Sequence, residues 1–175
     1  GIPLRITNCR FEGAMKDGIA ARNHDFLIEN CILIDCIKIF SRENLNGFTV
    51  RNCKLVETDI TPHNQPNNWA QDVTIDNIRM LNCAIGLDPG NTNVFINNVR
   101  TRFAGKIPRY TQATGPGTLT ATGQIVRNWI HDNRMMDGIY DLRGPNLGGN
   151  GLSQFEKIRV VSSRGTWGTL GVTGT

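Results

Sequence analysis

Residues 26–33 read FLIENCIL and residues 48–55 read FTVRNCKL, so one pattern recurs after 22 positions. In both stretches apolar residues alternate with other residues on each side of a central asparagine, which is the period of a β-strand. Asparagine tolerates the left-handed backbone region and therefore suits a sharp bend between two short strands. The pattern predicts a strand, an asparagine corner and a second strand.

The asparagine corner recurs along the whole chain. Its asparagines follow one another at steps of 22, 22, 25, 21 and 30 residues, and a degenerate copy places Lys157 29 residues further on. A recurring period of this size is typical of solenoids, in which each winding buries its apolar face only against its neighbours. The six asparagines of the predicted ladder, which we expect to face inward, are Asn8, Asn30, Asn52, Asn77, Asn98 and Asn128.

A third apolar stretch follows each corner and completes a coil of three strands and three turns. The expected third strands lie at 17–19, 37–39, 59–61, 84–87, 106–107 and 137–140. We therefore expect an all-β fold, a right-handed, single-stranded parallel β-helix of about seven coils and three parallel sheets. It forms a single domain over 1–175, and the strand pattern at the first residues is also what a fragment of a longer chain would show.

Composition and charge narrow the function classes. Hydrophobic residues make up 39% and charged residues 19%, which is typical of a globular chain. No apolar stretch approaches the roughly 20 residues of a transmembrane helix, so we expect no membrane insertion. The net charge of +4 is a mild cationic bias that suits an acidic partner without requiring one.

The cysteines predict neither a metal site nor a disulfide framework. Their number is five, which is odd, and no C-x-x-C pair occurs, so we predict no metal and no other cofactor. Three of them, Cys9, Cys31 and Cys53, directly follow ladder asparagines, and we expect a column of buried thiols. Free buried thiols indicate folding in a reducing cytoplasm, even if the protein later acts outside the cell.

The asparagine ladder, the aliphatic stacks and the coil length resemble the pectate-lyase-like β-helix superfamily, and this resemblance covers nearly the whole chain. That superfamily includes pectin-degrading enzymes, polysaccharide epimerases and bacteriophage tailspikes. The catalytic motifs of its pectin hydrolases are absent, and Thr61-Pro62-His63 departs from the Asp-Pro-His of its epimerases. The chain is therefore most similar to a phage tailspike or tail-fibre β-helix.

This resemblance implies a homotrimer on a virion, or an extracellular protein, that binds a bacterial surface polysaccharide. Whether the chain also hydrolyses that polysaccharide is left open. One alternative is a free polysaccharide lyase, hydrolase or epimerase, and another is a structural spacer or decoration of the virion without a ligand. No recognition helix and no interleaved aromatic platform is evident, so we expect no nucleic-acid partner.

Three insertions are predicted after third strands, at 61–72, 108–123 and 143–151, and we expect them to cluster on one flank. They carry aromatic and basic side chains suited to holding a sugar ring: Trp69, His63, Tyr110, Arg109 and Arg143. General acid chemistry on a glycosidic bond needs two carboxylates facing a cleft. The candidate catalytic carboxylates near this flank are Asp59, Asp72 and Asp88.

Strand alternation also predicts two outward columns. The residue before each asparagine gives Glu29, Arg51 and Asp76 on successive windings, which predicts an ion-pair ladder or, less economically, a widely spaced carboxylate pair. The position two residues after each asparagine is basic in five of seven copies: Arg10, Ile32, Lys54, Arg79, Arg100, Ile130 and Arg159. Such a stripe fits an anionic glycan, an acidic strip of another subunit, or a solvated edge.

Overall fold

The structure is a computed structural model, and it describes residues 3–13, 18–22, 25–62, 68–104, 117–119, 121–132, 146–147 and 151–161. These residues form strands and connecting turns, with no helix among them. The strands are β1 (Leu4–Thr7), β2 (Arg10–Glu12), β3 (Ile19–Ala21), β4 (Phe26–Glu29), β5 (Ile32–Ser41), β6 (Phe48–Thr61), β7 (Val73–Leu81), β8 (Ile85–Leu87), β9 (Phe95–Arg102), β10 (Gly117–Leu119), β11 (Ile125–Asp132), β12 (Asn146–Leu147), β13 (Gln154–Glu156) and β14 (Arg159–Val161).

Every strand pairing in this part of the chain is parallel, as a chain winding in one direction produces. The first sheet stacks β1, β4, β6, β7, β9, β11 and β13 in that order. The second sheet stacks β2, β5, β6, β7, β9, β11 and β14. The third stacks β3, β5, β6, β8, β10 and β12. The predicted fold class, an all-β parallel β-helix, is confirmed.

The well-defined winding covers about four turns, compared with the seven expected. Long strands such as β5 and β6 run around corners and so belong to more than one sheet. Short strands such as β1 and β13 extend the sheets at the two ends, where each pairs with one neighbouring strand.

The corner between the first and second sheets adopts the left-handed conformation in each described copy. All six ladder asparagines and Lys157 have a φ between 52° and 56°, the region that asparagine adopts more readily than most residues. Strand register on both sides of each corner places these residues in one file along the axis, as the pairs Arg51–Asp76 and Cys53–Ile78 show.

The asparagine side chains lie on the outside of the solenoid, and the expectation that they face inward is wrong. Within β6, Val50 and Cys53 are both buried, whereas Arg51 and Asn52 between them are both exposed. One left-handed residue inserted at the corner shifts the alternation by one position. Buried side chains therefore resume on the far side of the bend, as with Val50 and Cys53. The two side chains between them, Arg51 and Asn52, both point to solvent.

The core consists of columns of apolar side chains that repeat once per winding. One column contains, in order of register, Ile28, Val50, Ile75, Ile96 and Val126, all fully buried. Cys31 and Cys53 are buried free thiols, as predicted. Cys9 is exposed, because no described winding covers the outer side of β1. Each winding is thus buried by its neighbours rather than by itself.

The third strands of the later coils differ from the prediction. The column continues through β10, where Leu119 pairs with Leu87, and through β12, where Asn146 pairs with Thr118. Both strands lie inside stretches predicted as insertions. The predicted strands at 106–107 and 137–140 lie outside the described residues. Lys106–Ile107 contains a single apolar residue and is therefore a weak strand signal. In these coils the third strand begins later in the chain than expected, at Gly117 and Asn146.

Candidate functional site

The basic stripe lies on the outer face of the second sheet in the register that the sequence predicts. Successive strand pairings align Arg10, Ile32, Lys54, Arg79, Arg100, Ile130 and Arg159 in one column. All of these side chains are exposed except Ile32, which is half-buried. Neighbouring members are separated by one strand spacing of about 4.8 Å.

Three members of the column, Lys54, Arg79 and Arg100, form what we call the cationic run. Within the described part of the chain, none of them has a carboxylate within salt-bridge distance. Like charges on adjacent strands destabilise a sheet, so an uninterrupted run of three cations has an energetic cost. Ile32 and Ile130 bound the run, and Arg10 beyond Ile32 pairs with Glu12 at 2.9 Å.

An open groove of about 400 Å³, the corner groove, runs beside the cationic run. It is lined by Asn30, Cys31, Ile32, Asn52, Cys53, Lys54, Asn77 and Arg79. The side chains of its asparagines lie in file on one side, and the Asn77 Nδ2 donates a hydrogen bond to the Asn52 Oδ1 at 2.9 Å. The groove therefore combines three amide side chains on successive windings with two cations, Lys54 and Arg79, and with Ile32 on the remaining winding.

The other wall of the corner is a column whose charged side chains contact one another or a neighbouring amide of the same column. The Arg51 guanidinium contacts the Glu29 carboxylate at 2.7 Å, and the Asn97 Nδ2 donates to the Asp76 Oδ1 at 2.9 Å. Further along, Arg127 and Glu156 are 3.2 Å apart. This column has the geometry of the predicted ion-pair ladder. Because its carboxylates are engaged within the column, they do not neutralise the cationic run.

Trp69 lies against the turn that follows β8. A Cβ added at Gly90 would lie 2.0 Å from the indole ring, so only glycine fits beneath it. The same turn carries Asp88, whose Oδ1 accepts the Gly90 amide at 3.2 Å. The structure thus brings two of the predicted site residues, Trp69 and Asp88, to one turn. The indole Nε1 is buried and has no hydrogen-bond partner among the described residues.

Asn91 fixes the base of the loop that carries Trp69. Its fully buried Nδ2 donates to the carbonyl oxygens of Pro62 and Ala70, both at 2.9 Å. The Ala70 amide also donates to the Pro62 carbonyl, so the ends of the loop are held together. Sequence reasoning missed Asn91, since Asp88-Pro89-Gly90-Asn91 is typical of an isolated turn.

The three candidate catalytic carboxylates have different surroundings. Asp59 is 2% exposed and its Oδ1 accepts the Ala84 amide at 2.8 Å, so it faces the interior. Asp72 is exposed at the corner that precedes β7, and its Oδ1 accepts the Asn93 Nδ2 at 2.8 Å. Asp88 belongs to the turn beneath Trp69. A substrate outside the solenoid would therefore meet Asp72 and Asp88 but not Asp59.

Four of the predicted sugar-binding residues lie outside the described residues: His63, Tyr110, Arg109 and Arg143. The expectation that all three insertions follow third strands is wrong for the later coils, because 108–116 precedes β10 and 143–145 precedes β12. The predicted clustering of the insertions on one flank assumed that all three leave the same corner of the coil, and this assumption does not hold. Among the described strands, the connection between β6 and β7 follows a third strand, as predicted.

A buried polar cluster, which sequence reasoning did not identify, occupies the core between β9 and β11. The Thr101 hydroxyl lies 2.7 Å from His131 Nδ1 and accepts a hydrogen bond from Trp129 Nε1 at 3.0 Å. The Phe103 and His131 rings are 5.1 Å apart. Burial lowers the pKa of His131 to about 4, partly opposed by the nearby Asp132. His131 is thus a neutral core residue rather than a proton-transfer group at the surface.

The described residues contain no group of three or more histidine, cysteine or acidic side chains arranged to hold a metal ion. Nor does any helix long and apolar enough to cross a membrane occur among them. Fold and groove together define a parallel β-solenoid with a cationic outer stripe. Comparison of the chain with known protein families, curated proteins and solved structures gives no match.

Proposed function

We propose that this chain is a phage tailspike-like or tail-fibre-like β-helix and that it binds an acidic bacterial surface polysaccharide in the corner groove. The observation that supports this proposal is the cationic run, three exposed cations on consecutive windings that have no carboxylate within salt-bridge distance among the described residues. Two of them, Lys54 and Arg79, line the corner groove beside a row of amides. A solenoid offers the same groups at each winding, and an extended polymer can follow such a surface as a compact ligand cannot.

The chemistry of the groove favours carboxylate or sulfate groups on sugars. Arginine presents a planar fork that binds a carboxylate through two parallel hydrogen bonds, and lysine acts as a compact charge. Asn52 and Asn77 supply amide groups that suit sugar hydroxyls. Single exposed ion pairs contribute little, so useful affinity requires several windings to act together.

The wider proposal includes assembly and location. The chain forms a homotrimer on a virion, or acts outside the cell, after folding in a reducing cytoplasm in which Cys31 and Cys53 remain thiols. A free polysaccharide lyase, hydrolase or epimerase is the competing function, and the turn with Trp69 and Asp88 is the region that would serve it. A ligand-free virion spacer is the third possibility.

Calorimetric titration with acidic and neutral bacterial polysaccharides tests the proposal. The triple variant Lys54→Gln, Arg79→Gln, Arg100→Gln should lose at least tenfold in affinity for an acidic polysaccharide, and binding should weaken as salt is added. Arg10→Gln is the matched control, because Arg10 occupies the same column but already pairs with Glu12. Equal affinity of the wild type for neutral and acidic chains would refute the proposal.

Solution mass and product analysis separate the alternatives. A stable trimer that binds polysaccharide fits the tailspike-like reading. A monomer that shortens pectin or alginate would identify a free enzyme, and a trimer with no affinity for any acidic polysaccharide would identify a spacer.

A further inference from the structure

We infer that the cationic run, of which Lys54 and Arg79 line the corner groove, recognises three consecutive acidic sugars, one per winding, and therefore selects polysaccharides in which every sugar carries a carboxylate. This inference rests on the proposed function and specifies its ligand. The geometry behind it is the position of Lys54, Arg79 and Arg100 at one register position of three adjacent strands.

The length of the site follows from the two isoleucines that interrupt the column. Ile32 precedes Lys54 by one winding and is half-buried, and Ile130 follows Arg100 by one winding and is 37% exposed. Neither can bind an anionic group. The cationic run therefore spans two strand spacings, about 10 Å, and offers three charges and no more.

The isoleucines also suit the ends of such a ligand. A sugar ring has an apolar face of C–H groups, and a partly exposed aliphatic side chain can pack against it. A fourth and fifth sugar would thus contact Ile32 or Ile130 without gaining an ion pair. Beyond Ile130 the column resumes with Arg159, which is too isolated to continue the run.

The charge density of the ligand follows from the strand spacing. The strands that carry adjacent cations are about 4.8 Å apart, which is close to the repeat of one sugar in an extended chain. A polymer with a carboxylate on each sugar can place its charges opposite every winding. A polymer with one acidic sugar in a longer neutral repeat can neutralise only one member of the run, and the other two remain uncompensated.

The direct test is calorimetry of the wild type with a size series of oligouronates, from the disaccharide to the hexasaccharide. Affinity should rise about three- to tenfold with each acidic sugar up to the trisaccharide, and then only by the statistical factor for additional registers. A polysaccharide of equal length with sparse acidic sugars should bind at least tenfold more weakly. Single-stranded oligonucleotides of matched charge should bind more weakly than the trisaccharide.

A gain-of-function variant tests the length directly. Ile130→Arg joins the cationic run to Arg159, so the affinity increase should continue to the pentasaccharide; the control Ile130→Gln should keep the limit at three. Ile130 is exposed, and the substitution should leave folding intact, which circular dichroism verifies.

Three results would overturn the inference. These are an unchanged length limit in Ile130→Arg, affinity independent of charge spacing, and tighter binding of the oligonucleotide. If the wild type binds acidic polysaccharides regardless of charge spacing, the proposed function stands and the inference alone fails. If it binds none, both fail.

Discussion

Acidification should destabilise the solenoid through His131. This side chain lies in the core with 1% exposure, hydrogen-bonded to Thr101 and packed on Phe103. Its Nε2 has no partner among the described residues. Protonation would place a charge beside aromatic and aliphatic side chains, and only Asp132 nearby would favour it. The folded protein therefore resists protonation that the unfolded chain accepts.

The sign and size of the effect follow from the pKa of His131. Burial lowers it to about 4 from the ordinary 6.5, so the unfolded chain binds one more proton than the folded protein between these values. The free energy of unfolding therefore falls as the pH falls from above 6.5 to about 4. At about 1.4 kcal/mol per unit of pKa, this single group removes on the order of 3 kcal/mol. That is a large fraction of the stability of an ordinary domain.

Urea unfolding across this pH range, with the wild type and His131→Gln compared at each pH, measures the contribution. Glutamine does not titrate, and its amide can still bond the Thr101 hydroxyl. The substitution has its own cost at neutral pH, so the quantity of interest is the difference between the two proteins as a function of pH. That difference should change by about 3 kcal/mol in favour of the variant on acidification. Two parallel stability curves would refute the reasoning.

Three further substitutions test the packing at the loop and the corner. Asn91→Leu should lower the free energy of unfolding by about 2–3 kcal/mol, because two buried carbonyls lose their donor, whereas the control Asn44→Ala loses one exposed bond and should cost less than about 1 kcal/mol; urea unfolding compares them. Gly90→Ala should displace the Trp69 indole, and the resulting change in tryptophan emission should vanish in a Trp69→Phe background. Asn52→Ala should be about 1 kcal/mol less stable than Asn52→Gly, because glycine adopts a φ of 54° more readily than alanine does. Equal stability of the last pair would show that the left-handed corner gives alanine no penalty relative to glycine.

The repeat made much of the architecture predictable. When parallel strands stack in register, the position of the corner in each winding determines which residues align with those of the next winding. The asparagine marks that position in the sequence. Once Asn52 and Asn77 are aligned, the alternation of a strand assigns Lys54 and Arg79 to the same outer column, as the pairings confirm. The buried aliphatic columns follow from the same rule. These features depend on local sequence, which is why local reasoning found them.

The features that sequence reasoning missed depend on contacts between distant segments. Asn91 resembles a simple turn residue until its partners Pro62 and Ala70, more than 20 positions away, are seen. The strand β10 carries only a weak apolar signal and is defined by its pairing with β8. The outward direction of the asparagines was missed for a different reason. A left-handed residue shifts the alternation of inward and outward side chains by one position. A strict two-residue period does not include this shift.

The contrast between the two outer columns of the corner is the strongest argument that the cationic run has a ligand. Both columns use the same strands and the same spacing, so charge pairing was geometrically available to each. One column pairs its charges, as Glu29 with Arg51 illustrates. The other places Lys54, Arg79 and Arg100 in succession, exposed on the outer face, with Lys54 and Arg79 lining a groove. Because such a run destabilises the isolated protein, its natural compensation is an anionic partner of matching repeat.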